Sequence, residues 1–185
     1  YNAIPELIIM HKSEKKNQVL TVGELNGETY LRKGLDRFIE IAKKMPNIQF
    51  IHIGKWTDKK GNPSREIIDH IKSISPSNIN YLGYVDKEEL DKYYKESKIY
   101  LQLSRHEAFG VSVVEAMKYH CVPIVTNVFA LPEVVGKCGY IIQNKNQCID
   151  LIERLITDNS PLNVKINLKF DLKSRKESFK KLLSI

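Results

Sequence analysis

The sequence is poor in the residues that would commit it to several common classes. Cysteine occurs three times, at Cys121, Cys138 and Cys148. The number is odd and the spacing fits no metal site, so structural thiols in a reducing, cytoplasmic setting are expected rather than a disulfide framework. No run approaches the roughly 20 apolar residues needed to cross a bilayer. Tyr1 to Met10 lacks the basic-then-apolar layout of a signal peptide. There is no Asp-x-Asp pair or histidine cluster for a metal, and no Gly-x-Gly-x-x-Gly follows the first apolar run. The last absence argues against a dinucleotide-dependent oxidoreductase. Internal repeats and low-complexity tracts are missing too.

Acidic residues are outnumbered 22 to 29, for a net charge of +7. The excess is local. Lys165, Lys169, Lys173, Arg175, Lys176, Lys180 and Lys181 face only Asp171 and Glu177 between positions 165 and 181. The rest of the chain is near balance, which speaks against nucleic acid as a partner, since that needs basic residues spread over a face. The basic run is a solvated helix face or a peripheral contact with an anionic membrane surface.

With 185 residues, 42% of them hydrophobic, one substantial core is affordable and a single domain is expected. Short apolar runs rich in β-branched residues recur at Val19–Gly23, Ile48–Gly54, Ile79–Gly83, Ile99–Leu103, Val122–Thr126 and, more weakly, Tyr140–Ile142. These predict six strands. Helical spacing fills Gly34–Met45, Ser64–Ile74, Lys87–Ser97 and Gly110–His120. Strands without period-two alternation are buried on both faces, so the expected class is α/β, a Rossmann-like doubly wound parallel sheet of about six strands. Ligands then bind beyond the carboxyl ends of the strands, where the loops after Gly23, Gly54, Gly83 and Leu103 should converge. Lys55 to Pro63 reads as a mobile loop at that rim. After the breaker cluster Asn159-Ser160-Pro161, a basic helix is expected beyond Asp171, within a C-terminal segment 159–185.

The richest stretch runs from Ser104 to Met117, directly after the fourth strand. Glu107 and Glu115 are eight positions apart, a spacing that Glu6/Glu14 and Glu88/Glu96 share, so context must decide. Only this pair sits where a buried strand ends, Gly110 opens a turn and an apolar helix begins. Amides at Phe109, Gly110 and Val111 would meet an anion such as phosphate. Glu115, about 7.5 Å further along the helix, is able to accept hydrogen bonds from a vicinal pair of hydroxyls. The plain alternative is that Glu107 caps the helix and Glu115 is solvated. Arg32-Lys33-Gly34 also precedes an apolar helix and offers cations to the same anion, or is simply surface.

Together these motifs resemble the C-terminal domain of retaining glycosyltransferases with two facing Rossmann-like domains, the GT-B group four superfamily of glycogen-synthase-like and mannosyltransferase-like enzymes. The matching pieces are Thr21-Val22-Gly23 before Lys33-Gly34, Phe50 to Gly54, Tyr81 to Val85, Glu107 to Met117, Val122 to Val125 and Leu131 to Val135. The resemblance implies a nucleoside-diphosphate sugar as substrate, with no metal or other cofactor. It implies further that Lys33 pairs with the diphosphate near Gly23 and Gly54, that backbone at Tyr84 and Val85 meets the base, that Glu115 holds the ribose and that Glu107 touches the sugar. Tyr1 to Ile4 resembles the hinge from an acceptor domain, so residues 1–18 are expected to be a linker from a missing N-terminal half. Three departures stand out. Glu24 replaces the usual diphosphate-binding arginine, so that either Arg32 supplies the missing cation or diphosphate binding is weakened. Phe129 and Ala130 replace small glycines near the donor, and His120 stands at a usual glycine of positive φ. A non-catalytic nucleotide-binding module is the rival reading.

Overall fold

The computed structural model describes residues 14–58, 60–62 and 64–158. All six expected strands form: β1 (Lys16–Val22), β2 (Gln49–Ile53), β3 (Ile79–Gly83), β4 (Ser97–Gln102), β5 (Val122–Thr126) and β6 (Tyr140–Ile142). They make one parallel sheet in the order β3-β2-β1-β4-β5-β6. The order reverses between β1 and β4, so the crevice of a doubly wound sheet falls beyond the carboxyl ends of those two strands.

The helices are α1 (Thr29–Arg32), α2 (Leu35–Lys44), α3 (Arg65–Ile74), α4 (Lys87–Glu96), α5 (Val111–Lys118), α6 (Leu131–Val135) and α7 (Lys145–Thr157). They divide between the two faces of the sheet. One core packs Phe38, Ile39 and Ala42 of α2, Ile71 of α3 and Ile152 and Leu155 of α7 against Val19, Phe50, Ile99 and Ile124. The other packs Tyr94 of α4, Val113 and Met117 of α5 and Val134 of α6 against Leu20, Ile51, Tyr100 and Val125. Neighbours along a strand thus point to opposite cores, and every residue of β4 and β5 is buried. That is why these strands carry no polar alternation. Each fully buried Leu, Ile or Phe contributes about 1.5–3 kcal/mol.

Three helices lay outside the sequence reading. α1 is a single turn set by Asn26, whose Oδ1 accepts from the amides of Glu28 (3.0 Å) and Thr29 (2.8 Å). α6 has only five residues, with Pro132 in its first turn. α7 was legible in principle: Asn144 caps it by accepting from Gln147 N, and Cys148, Ile152 and Leu155 form a buried stripe.

Two boundaries also move. β1 begins at Lys16, inside the stretch expected to be linker, because the Gln18 side chain reaches Ser97 Oγ (3.0 Å) and Lys16 pairs with Ser97 in the ladder. The segment after β2 is not a free loop at its start: Trp56 bridges to Leu25, and Thr57 is buried. The basic helix expected beyond Asp171 lies outside the described residues, as does the hinge at Tyr1 to Ile4.

At the opposite end of the sheet from the crevice, Lys15 Nζ donates to the carbonyls of Tyr94 (3.0 Å) and Tyr119 (2.5 Å), tying the ends of α4 and α5 together. Cys121, Cys138 and Cys148 are all free; burial pushes the Cys121 thiol up to about 11. No helix of the described residues is long and apolar enough to cross a membrane.

Candidate functional site

The α1–α2 turn is pressed onto the end of β4 by one glycine. Gly34 has φ +74, and a Cβ there would lie 2.0 Å from the Leu103 carbonyl oxygen. Only glycine allows this approach at that backbone angle. Arg105 locks the contact. Its guanidinium makes two bonds to the Asp36 carboxylate (2.8 and 2.6 Å) and one to Leu31 O (2.6 Å), while its amide donates to Arg32 O (2.8 Å). Burial tends to raise the Asp36 carboxyl, but the hydrogen bond and charge of Arg105 outweigh it and hold the group below its usual range.

This clamp sets Lys33 beside Glu107. Lys33 Nζ is 2.6 Å from Glu107 Oε2, with the lysine side chain 25% and the carboxylate side chain 12% exposed. Gln102 Nε2 (3.2 Å) and Ser104 Oγ (3.4 Å) donate to the same oxygen. Oε1 of Glu107 receives no hydrogen bond from the described residues. The alternative of Glu107 as a helix cap is corrected here, because the cap of α5 is Gly110, at φ +86 and without a side-chain bond.

From Gln102 the network runs into α5. Its Oε1 accepts from the Tyr100 hydroxyl (3.0 Å), which lies 2.8 Å from Ser112 Oγ. Tyr100 is fully buried; desolvation raises its pKa, and the nearby charges of Glu115 and Glu107 add to the rise. Hydrogen bonds thus run from Glu107 through Gln102 and Tyr100 to Ser112 on α5, the helix that carries Glu115. Glu115 is half-buried and accepts from the Tyr94 hydroxyl (3.2 Å). Its reading as a solvated residue is corrected by that bond. The amides of Gly110 and Val111 have no protein acceptor among the described residues, whereas Phe109 is buried.

Other expected residues have different local roles. Gly23 N donates to Ile53 O and Gly54 N to Gly83 O (both 2.9 Å), so neither amide is open to a ligand. A Cβ on Gly54 would strike Gly23 O at 1.9 Å, and one on Gly110 would meet Leu131 Cδ2 at 2.7 Å. Glycine at 110 thus also serves the packing of α6 and the positive φ. Arg32 is exposed at the end of α1. Tyr84 is 71% exposed after β3, with Lys55 Nζ 5.1 Å from its ring centre, and Val85 joins the rim of the α4–α6 core. Glu24 accepts from Thr57 Oγ1 (2.6 Å) and so leans toward the β2 side of the crevice.

Gln102, Ser104, Arg105, Asp36, Tyr94 and Tyr100 were not singled out from the sequence. They support the expected residues without standing in a recognisable pattern of their own. Beneath the Lys33-Gly34 turn lies a void of only about 10 Å³. Larger concavities flank the charged centre. One of 740 Å³ is lined by Lys55, Trp56, Arg65 and Tyr84; another of 340 Å³, between α2 and α7, is lined by Arg37, Thr126 and Asn144. Among the described residues no group of three His, Cys, Asp or Glu is placed to hold a metal.

The fold and this geometry define a doubly wound α/β domain of the GT-B type, with a polar centre at its topological switch point. The chain belongs to the group 1 glycosyl transferases, whose family model matches residues 7–173. It is similar to the alpha-galactosylglucosyldiacylglycerol synthase of Streptococcus pneumoniae, at 29% identity over 67% of this chain and 32% of that protein. It spans about a third of the length of the first curated relatives it matches. Among solved structures it is similar to TarM, with a TM-score of 0.72 at 21% identity over 96% of this chain and 37% of that one. HepE of Anabaena in complex with UDP-glucose gives a TM-score of 0.70 at 16% identity, covering 90% and 48%.

Proposed function

We propose that this chain is the donor-binding half of a retaining glycosyltransferase. It takes a nucleoside-diphosphate sugar, for transfer to an acceptor hydroxyl supplied by an N-terminal half of the same protein. The observation that carries this reading is the meeting of Lys33, Glu107 and the start of α5 at the switch point, with Glu115 two turns on. HepE, a structural neighbour solved with UDP-glucose, supports the choice of ligand.

In this reading Lys33, Arg32 and the amides of Gly110 and Val111 neutralise the diphosphate as the bond from the anomeric carbon to the leaving oxygen breaks. No metal is needed for that charge, and losing one such preorganised donor typically costs about 100- to 1,000-fold in rate. The acceptor oxygen forms its bond on the face the diphosphate leaves, and its proton passes to the departing phosphate. Glu107, whose Oε2 is occupied, offers Oε1 to a sugar hydroxyl and orients the ring. Glu115 holds the ribose, and the base lies against the backbone of Tyr84 and Val85.

Calorimetry of the chain with nucleoside diphosphates and their sugars tests the proposal. Micromolar binding lost in both Lys33→Ala and Glu115→Ala is expected, with no transfer to added acceptors. Turnover by the chain alone would contradict the division of labour, and absence of any nucleotide binding would end the donor reading. The reversed charge at Glu24 favours a second reading, a nucleotide-sugar module that assists a partner without chemistry; activity on joining the upstream half separates the two. The diacylglycerol named in the streptococcal relative and the basic run 165–181 also motivate contact with anionic membrane, which sedimentation with phosphatidylglycerol vesicles measures.

A further inference from the structure

Phe129 is 64% exposed and holds φ +47, a left-handed conformation that bulky residues rarely adopt. An exposed phenylalanine in strained backbone gains nothing from the core. Such strain concentrates where a surface is held ready for a ligand. The ring is 4.1 Å from that of His106, with the planes tilted by 52°, and His106 is the residue before Glu107.

The surroundings fix this pair at the charged centre. Thr126 Oγ1 donates to Ser104 O (2.6 Å), tying the loop that carries Phe129 to the loop that carries His106 and Glu107. Two residues beyond Phe129, Leu131 packs on Gly110, where a Cβ would also come within 3.8 Å of Glu107 Cγ. The aromatic pair therefore stands on the two joined loops, one of which carries Glu107.

We propose that Phe129, braced by His106, is a specificity-determining platform for the transferred sugar: its ring face receives the C–H face of a hexopyranose whose hydroxyls reach Glu107. This rests on the donor reading above. Pyranose rings carry polar edges and a contiguous patch of C–H bonds, and an aromatic face matches that patch as it matches other apolar surfaces, with about three- to ten-fold in affinity for a well-placed contact. The nucleoside and diphosphate do not touch the platform. It thus governs only the gain in affinity of a nucleotide sugar over its bare nucleotide, and which hexose earns that gain.

The test compares UDP with UDP-glucose, and GDP with GDP-mannose, by calorimetry on the 185-residue chain and its Phe129→Ala, Phe129→Leu, Phe129→Trp and His106→Ala variants, each checked for an unchanged circular-dichroism spectrum. The expected result is an unchanged Kd for the bare nucleotide. The added affinity of the cognate nucleotide sugar falls three- to ten-fold in Phe129→Ala and Phe129→Leu, falls less in His106→Ala and is retained in Phe129→Trp. Equal losses for nucleotide and nucleotide sugar, no loss, or tighter sugar binding in Phe129→Ala would each overturn the platform while leaving the donor reading intact. Failure of the unaltered chain to bind either nucleotide overturns both.

Discussion

Lys33 Nζ and Glu107 Oε2, 74 positions apart in the chain, are 2.6 Å apart in space. The lysine expected to meet the diphosphate is thus already engaged by the carboxylate expected to meet the sugar. Donor binding has to redirect the lysine toward phosphate. In Lys33→Ala the affinity for a nucleoside diphosphate should fall about 10- to 100-fold, the scale of a hydrogen bond to a charged group. Glu107→Gln should do the opposite to the bare nucleotide, tightening it severalfold, because the competing negative charge is gone, while transfer by the joined protein drops. Titration calorimetry reads the first two quantities and a sugar-release assay the third. Weaker nucleotide binding in Glu107→Gln would argue against shared use of the lysine.

Glu115 is positioned by the Tyr94 hydroxyl, and burial keeps that phenol protonated as a donor, its pKa well above the ordinary value. If the carboxylate grips ribose, Glu115→Ala should cost at least tenfold in Kd for ribonucleotides and nothing for 2′,3′-dideoxy analogues. Tyr94→Phe should show a smaller loss with the same dependence on the hydroxyls. A loss of equal size for both nucleotide series would point to phosphate or packing instead.

The Gly34 contact makes a stability prediction. Ala at 34 must accept a left-handed backbone, at roughly 1–2 kcal/mol, and must push its Cβ away from the Leu103 carbonyl, where overpacking adds about 1–3 kcal/mol. Gly34→Ala is expected to lose about 2–5 kcal/mol by urea denaturation and to bind nucleotide poorly even where it stays folded. A variant within 0.5 kcal/mol of the parent, a roughly neutral change, would show that the turn relaxes freely.

His52 sets an acid limit. It is buried on β2 between the crevice and the core, its Nδ1 has no partner, and desolvation lowers its pKa to about 4 despite a bond to the Gly23 backbone. The unfolded imidazole takes up its proton near pH 6.5, so between that pH and 4 only the unfolded state gains it. Folding free energy then falls by about 1.4 kcal/mol per pH unit, approaching 3 kcal/mol near pH 4. Stability is retained above pH 6.5. Denaturation curves at pH 7, 5.5 and 4.5 should lose most of this slope in His52→Gln. An unchanged slope would assign the acid sensitivity to other groups.

The six strands and the four longer crossover helices were legible because their burial on two faces leaves a direct imprint: Ile99, Tyr100 and Leu101 alternate between cores, yet all must be apolar or nearly so. α7 left an equally readable stripe, while α1 rests on one asparagine and α6 on five residues, too little for a period to emerge. At the site, Lys33, Glu107 and Glu115 stood out through motif and resemblance. What no pattern announced was the scaffold that aims them. Arg105 and Asp36 are 69 positions apart, and a pair of that separation has no signature until the turn at Gly34 meets the end of β4. The packing role of Gly110 was hidden for a related reason: its neighbour in space, Leu131, belongs to a different crossover.

The bond from Thr126 to Ser104 and the ring contact of Phe129 with His106 join two loops that leave different strands. Everything that would grip a nucleotide sits on one side of that join and the exposed ring of Phe129 on the other. A lineage can therefore exchange the residue at the far loop, and with it the sugar it prefers, without redesigning the grip on phosphate.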